Sequence, residues 1–164
     1  HIAVYEYDGS GGTENYDAGA TLSGNTAMPA PGNALNFDGT DDIVDIGDLD
    51  FLDGASQYTI EARIRPEGFS TWNTAFGKRT SDSDRALVLQ CYYTSGNVGV
   101  AVGNGYGRTS SPLSLTWHHV AIVYDGGGAS DSDRLKFYVD GTERALTFIG
   151  TDRKSTRLNS SHYS

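Results

Sequence analysis

Hydrophobic and polar residues alternate most regularly between residues 115 and 141, LTWHHVAIVYDGGGASDSDRLKFYVDG. Trp117, His119, Ala121 and Val123 fall on one face of the first half and Val120, Ile122 and Tyr124 on the other. After the polar stretch GGGASDSD, Leu135, Phe137 and Val139 alternate with Lys136, Tyr138 and Asp140. A period of two over this length predicts two half-buried strands of one antiparallel hairpin. The glycine-rich stretch between them predicts a surface loop, and Asp140-Gly141 predicts a further tight turn directly after the second strand.

The same period recurs along the chain. Residues 58–65, YTIEARIR, set Ile60, Ala62 and Ile64 on one face against Thr59, Glu61, Arg63 and Arg65 on the other, until Pro66 stops the strand. Residues 1–7 read as a short strand closed by a turn, and residues 13–33, with Pro29, Pro31 and Gly32, read as a long surface loop. Residues 34–48 predict two strands about a turn at Asp38-Gly39, with Leu35 and Phe37, then Val44 and Ile46, directed inward. Residues 74–78, 85–93 and 97–102 continue the series between Gly- and Ser-rich turns. Nine or so short strands without a helical pattern predict an all-β fold, an antiparallel β-sandwich or jelly roll.

Composition narrows this picture. A chain of 164 residues is one domain with room for one core, and 21 Gly against a single Met suits many turns rather than long helices. The net charge of −9, with no compact basic cluster, repels phosphate backbones and speaks against nucleic acid as a partner. No apolar run approaches the roughly 20 residues that span a bilayer, so membrane insertion is not expected. The chain begins at His1 without a signal peptide, which reads as a segment cut from something longer and leaves export open. Cys91 alternates with Leu87 and Leu89, so a buried, unreactive thiol is expected rather than a redox or nucleophilic one.

Four stretches, residues 34–47 (ALNFDGTDDIVDIG), 58–66 (YTIEARIRP), 117–126 (WHHVAIVYDG) and 136–141 (KFYVDG), occur in the order and spacing of a known family. The chain resembles the laminin-G-like jelly-roll domains of the concanavalin-A-like lectin/glucanase superfamily and, more distantly, the pentraxins. The resemblance implies two curved antiparallel sheets packed face to face, forming a domain over residues 1–151. It also implies an extracellular module of a larger secreted or surface protein. The strands that a disulfide joins in pentraxins carry Glu61 and Ala121 here, as in cysteine-free bacterial-type modules. The family's closing strand is expected to be missing: residues 152–164, DRKSTRLNSSHYS, do not alternate, carry +2 in a chain otherwise at −11, and resemble translated adapter sequence or a basic linker.

Candidate chemistry is sparse. The E-x-D-x-x-E strand of the superfamily's β-glucan hydrolases does not occur, and paired carboxylates are what retaining hydrolysis needs, so no enzyme is expected. Adjacent His118 and His119 point to opposite faces of a strand and do not chelate one metal; His119, sharing a face with Trp117, is expected to be a packed core or sheet histidine. Asp82 and Asp84 lie in a turn that resembles the loop supplying the first calcium ligands of pentraxins, which makes Ca²⁺ the expected cofactor if there is one. Asp38, Asp41 and Asp42, and Asp131 with Asp133, form two further carboxylate clusters, although Asp also simply favours turns. For a glycan or extracellular protein ligand the candidates are Arg63, Arg65, Trp72, Tyr92, Tyr106 and Arg108, taken as outward residues of one sheet and its loops: aromatic rings stack on sugars and Arg donates in a fork. The function expected is non-catalytic recognition or adhesion within a multidomain chain, the other reading being a structural spacer between neighbouring domains.

Overall fold

The computed structural model describes residues 2–4, 34–37, 42–47, 49–69, 73–81, 84–92, 95–103 and 105–150; of residues 2–4, 50, 80–81, 84–86 and 91–92 only the backbone is described. Among the described residues ten strands form two antiparallel five-stranded sheets. Sheet A runs in the order β1 (Ile2–Val4), β2 (Gln57–Ile64), β7 (His118–Asp125), β8 (Leu135–Val139) and β9 (Thr142–Arg144). Sheet B runs β10 (Leu146–Ile149), β6 (Gly105–Thr109), β5 (Asn97–Val102), β4 (Asp84–Tyr92) and β3 (Thr74–Ser81).

The inward residues of both sheets meet in one core. Ile60, Ala62, Val120, Ile122, Tyr124, Leu135, Phe137 and Val139 of sheet A pack with Leu87, Leu89, Val98, Val100 and Val102 of sheet B. Burial of so many aliphatic and aromatic side chains is the main term holding the two layers together. The alternation in residues 58–65 and 118–125 is what places these residues on a single side. Glu61 faces Ala121 across β2 and β7, the pair of positions that the family resemblance pointed to. Tyr58 and Tyr124 are also opposite, with ring centroids 5.0 Å apart. Burial, with Tyr124 as a smaller contributor, pushes the Tyr58 hydroxyl far above its ordinary pKa, so it stays neutral.

One end of the sandwich is closed by a 3₁₀ turn at Asp50–Leu52. Leu52 is wholly buried in the core, while Lys78 reaches from β3 to donate to the carbonyl of Leu49 and pairs with Asp53 at 2.8 Å. On sheet B, Gly107 is inward-facing on β6, and a Cβ there would lie 2.8 Å from the Leu146 side chain. Its missing side chain lets Leu146 and Phe148 of β10 close over the core.

Several expectations are corrected. Residues 34–37 and 42–47 form no strand, and Leu35, Phe37 and Val44 are exposed rather than inward. Alternation sets the side-chain period, but a strand also needs a place in a sheet ladder, and these residues join neither of the two sheets. Strands β6, β9 and β10 come in addition to those the alternation predicts; β9 has three residues, all exposed, and β10 has four, alternately half-buried and exposed, too few to carry a periodic signal. The polar loop after β7 contains a single helical turn, α1 (Asp131–Arg134). Ser130 caps it, accepting from the Asp133 N–H while its own N–H donates to the Asp133 carboxylate, a capping box that polar composition alone hides. The Asp140-Gly141 turn is present as expected: both residues have positive φ, and Val139 pairs directly with Thr142. The loop at residues 13–33, the Cys91 side chain and the tail at 152–164 lie outside the described residues or side chains.

Candidate functional site

The outward residues of sheet A are mostly polar, with Ala121 and Val123 of β7 among them. Register places Arg63 opposite His119, and Glu61 in a row with Ala121, Tyr138 and Glu143 across β2, β7, β8 and β9. One step beyond the strand ends, Arg65 and Trp117 share this face, the Arg65 guanidinium lying 5.7 Å from the centre of the indole ring. Trp117 is 45% exposed, and Leu115 beside it is 54% exposed. His119 Nε2 lies 3.4 Å from Glu61, Arg65 pairs with Glu67, and the Tyr138 hydroxyl donates to Glu143 at 3.2 Å. The face therefore combines an accessible aromatic surface with donors and acceptors side by side.

What fixes Trp117 is the residue after it. His118 points inward at the edge of the core and is almost fully buried. Its Nδ1 donates to Asp140 Oδ2 at 2.7 Å, and its Nε2 lies 2.9 Å from Ser114 Oγ and 3.2 Å from the Ser114 carbonyl. Asp140 also accepts from the His119 N–H at 2.9 Å and returns its own N–H to the His119 carbonyl at 2.8 Å. The hydrogen bond from His118, and after it the one from His119, hold the Asp140 carboxyl below the usual carboxylate range. His118 thus ties three pieces together: the 114–117 segment, the start of β7 and the β8–β9 turn.

The Ser114, His118 and Asp140 distances match those of a serine nucleophile relay. The surroundings differ. Ser114 Oγ is shared with Thr116 Oγ1 at 2.7 Å, Nε2 also faces the serine's own carbonyl, and it is the histidine rather than the aspartate that is buried. These contacts make a clasp for the backbone.

The predicted ligand residues separate. Arg63 and Arg65 lie on the outer side of sheet A, whereas Tyr106 and Arg108 belong to β6 and Tyr92 to β4 of sheet B. The expectation that they share one sheet is corrected: Tyr106 and Arg108 are half-buried on the outer side of sheet B, away from the Trp117 face. Trp72 lies outside the described residues, as does the Tyr92 side chain. His119 is not packed in the core but stands half-exposed on the outer face, and its neighbour His118 takes the buried place. The reason is register, which assigns Val120, Ile122 and Tyr124 to the core and leaves Trp117 and His119 outside. A sign of this was present in the sequence, since the inward positions are large aliphatic or aromatic throughout while Ala121 interrupts the other face.

Of the carboxylate clusters, Asp82 is outside the described residues and Asp84 is described only by its place at the start of β4. Asp131 pairs with Arg134, and the Asp133 carboxylate is taken by the side chain and N–H of Ser130, which also lower its pKa. One oxygen of each carboxylate is thus engaged within the helical turn, which is what acidic residues at a capped turn do. Of the third cluster, Asp38 and Asp41 lie outside the described residues, and Asp42 is exposed. Among the described residues no three His, Cys, Asp or Glu side chains come together as a metal site.

A family model described as concanavalin A-like lectin/glucanases superfamily, of the laminin G type, matches residues 38–162. The chain belongs to this family. No curated protein and no solved structure matches the chain. Laminin-G-like domains are generally non-catalytic modules that bind carbohydrate or protein ligands. Among the described residues no helix is long and apolar enough to cross a membrane.

Proposed function

We propose that this domain is an extracellular recognition module that binds glycan through the outer face of sheet A. One observation carries the reading: Trp117, one residue before β7, is a large aromatic residue left 45% exposed, with Arg65 over its ring. An indole presents an apolar surface to the C–H groups of a sugar, and the guanidinium and carboxylates around it supply hydrogen bonds to hydroxyls. The buried His118 clasp keeps this segment in place before a ligand arrives, which lowers the ordering cost of binding. Titration of the domain with a panel of oligosaccharides tests the reading. Trp117→Ala is expected to weaken binding at least tenfold, about 1.4 kcal/mol or more, with the fold unchanged. Equal binding by wild type and Trp117→Ala would remove the sheet A face as the site.

Calcium belongs to the same proposal only through Asp82 and Asp84. A rise in melting temperature with added calcium, abolished by Asp84→Ala, supports a structural ion in the β3–β4 turn; no shift counts against it.

A further inference from the structure

The strands that follow the His118 clasp are lightly held. Among the described strands, β9 pairs only with β8 at one edge of sheet A, and β10 only with β6 at one edge of sheet B. From Thr142 to Ile149 no side chain is fully buried: Leu146 and Phe148 are half-buried beside Gly107, and the others are exposed. Their seat is nevertheless specific. It offers the edge of β8, the edge of β6 and, at Gly107, the room that Leu146 and Phe148 fill. Residues 142–149 fit this seat whether they come from the same copy of the chain or from a second one, because the complementary surfaces are identical.

The hinge for such an exchange is the Asp140-Gly141 turn. Asp140 has a φ of 51° and Gly141 of 76°, and for Asp140 the left-handed conformation is less favourable than an extended one. The hairpin sets Phe137 opposite Arg144, Tyr138 opposite Glu143 and Val139 opposite Thr142. If the turn straightens, residues 135–144 become one strand. Two such strands related by a two-fold axis keep this register unbroken and bring Asp140 of each copy opposite Gly141 of the other. What opposes straightening is the clasp. The Asp140 carboxylate accepts from His118 Nδ1 at 2.7 Å and from the His119 N–H at 2.9 Å. Turning φ from positive to extended swings the Asp140 Cβ about the N–Cα bond and takes the carboxylate away from both donors. His118 is almost fully buried, so its Nδ1 is left without an acceptor where water does not readily replace one. We infer that the His118–Asp140 clasp guards this hinge, and that its release lets β9 and β10 exchange between two copies of the chain. The closed monomer contains the clasp and the exchanged dimer does not, so removing it raises the exchange equilibrium without weakening the dimer.

The test uses the full chain carrying Cys91→Ala together with Arg108→Cys and Thr147→Cys, two positions directly opposite each other on β6 and β10. Each protein is incubated reduced at a series of concentrations, then oxidised. It is read by size-exclusion chromatography with light scattering and on a denaturing, non-reducing gel. The parent is expected to remain a monomer whose disulfide lies within one chain. His118→Ala should raise the dimer association constant about tenfold or more, and in that dimer the disulfide should join two chains. Asp140→Gly, which removes the carboxylate but suits the turn, should exchange less than Asp140→Val, whose branched side chain disfavours a positive φ. Val98→Ala, a core change in sheet B away from the hinge, should stay monomeric. A folded His118→Ala that is monomeric at every concentration would overturn the inference, and if that variant does not fold, Asp140→Gly decides in its place. Dimers whose disulfides stay within single chains would overturn it too, as would Val98→Ala exchanging as readily as His118→Ala.

Discussion

The two outer faces of the sandwich are built on opposite terms. On sheet A the outward positions carry Glu61, Arg63, His119, Tyr138 and Glu143, and they meet solvent. On sheet B the outward positions of the central strands are Val88, Gln90, Gly99 and Ala101, and all are buried, Val88 completely. One sheet has an inside and an outside; the other has two insides. Hydrophobic strands enclosed on both faces lose the alternation that half-buried strands show, and β4 and β5 read as near-continuous apolar runs. Among the described residues only sheet A therefore offers an open surface across its middle strands, and beside it an exposed tryptophan and paired charges occur together.

A pair of matched substitutions strikes this contrast hardest. Val88→Asp on sheet B puts a charge into a fully enclosed position and should cost about 3–5 kcal/mol or abolish folding. Val123→Asp, outward on sheet A and only half-buried, should cost about 1 kcal/mol or less by urea denaturation. Similar losses at the two sites would mean that the faces are not different in kind. Next in size is His118→Ala, which removes the clasp and leaves Ser114 and Asp140 without their partner. A loss of about 2 kcal/mol is expected in the same assay, because His118 is the buried member of the set.

The smallest effect is one of pH and sharpens the comparison through Asp140. Its folded-state pKa is lowered, so between that value and the ordinary carboxylate range the folded protein binds fewer protons than the unfolded chain. The contribution is complete above the ordinary range and fades as pH falls through the lowered value. Asp133, lowered by Ser130, adds to the slope in the same direction. Asp140→Asn should therefore flatten, without removing, the acid decline of the melting temperature. An unchanged acid slope in this variant would show that the clasp does not depend on the ionised carboxylate.

Much of sheet A was legible from the chain. The alternation in residues 58–65 and 118–139 placed β2, β7 and β8 and their inward residues, and Asp140-Gly141 announced a tight turn. The candidate site was less legible. Arg63 and Arg65 stand out in the sequence as outward residues, whereas Trp117, the centre of the proposed face, shares its alternating positions with His119 and reads as packed. Two apolar-looking faces on one strand cannot be ranked by periodicity alone. The ranking comes from the partner strand, where β2 sets Ile60 and Ala62 opposite Ile122 and Val120 and sets Arg63 opposite His119.

The sequence by itself determined the all-β class, the family and the period of every long strand, because these depend on local side-chain order. Tertiary structure decided which of two adjacent histidines is buried, how residues 22 positions apart close the His118–Asp140 clasp, and which sheet keeps an open face. Those outcomes depend on register and on which layer lies against which, and neither is encoded within a single strand. Residues 115–141 show both sides of this division: their alternation announces a hairpin, and only the sheet around it turns Trp117 outward and His118 in.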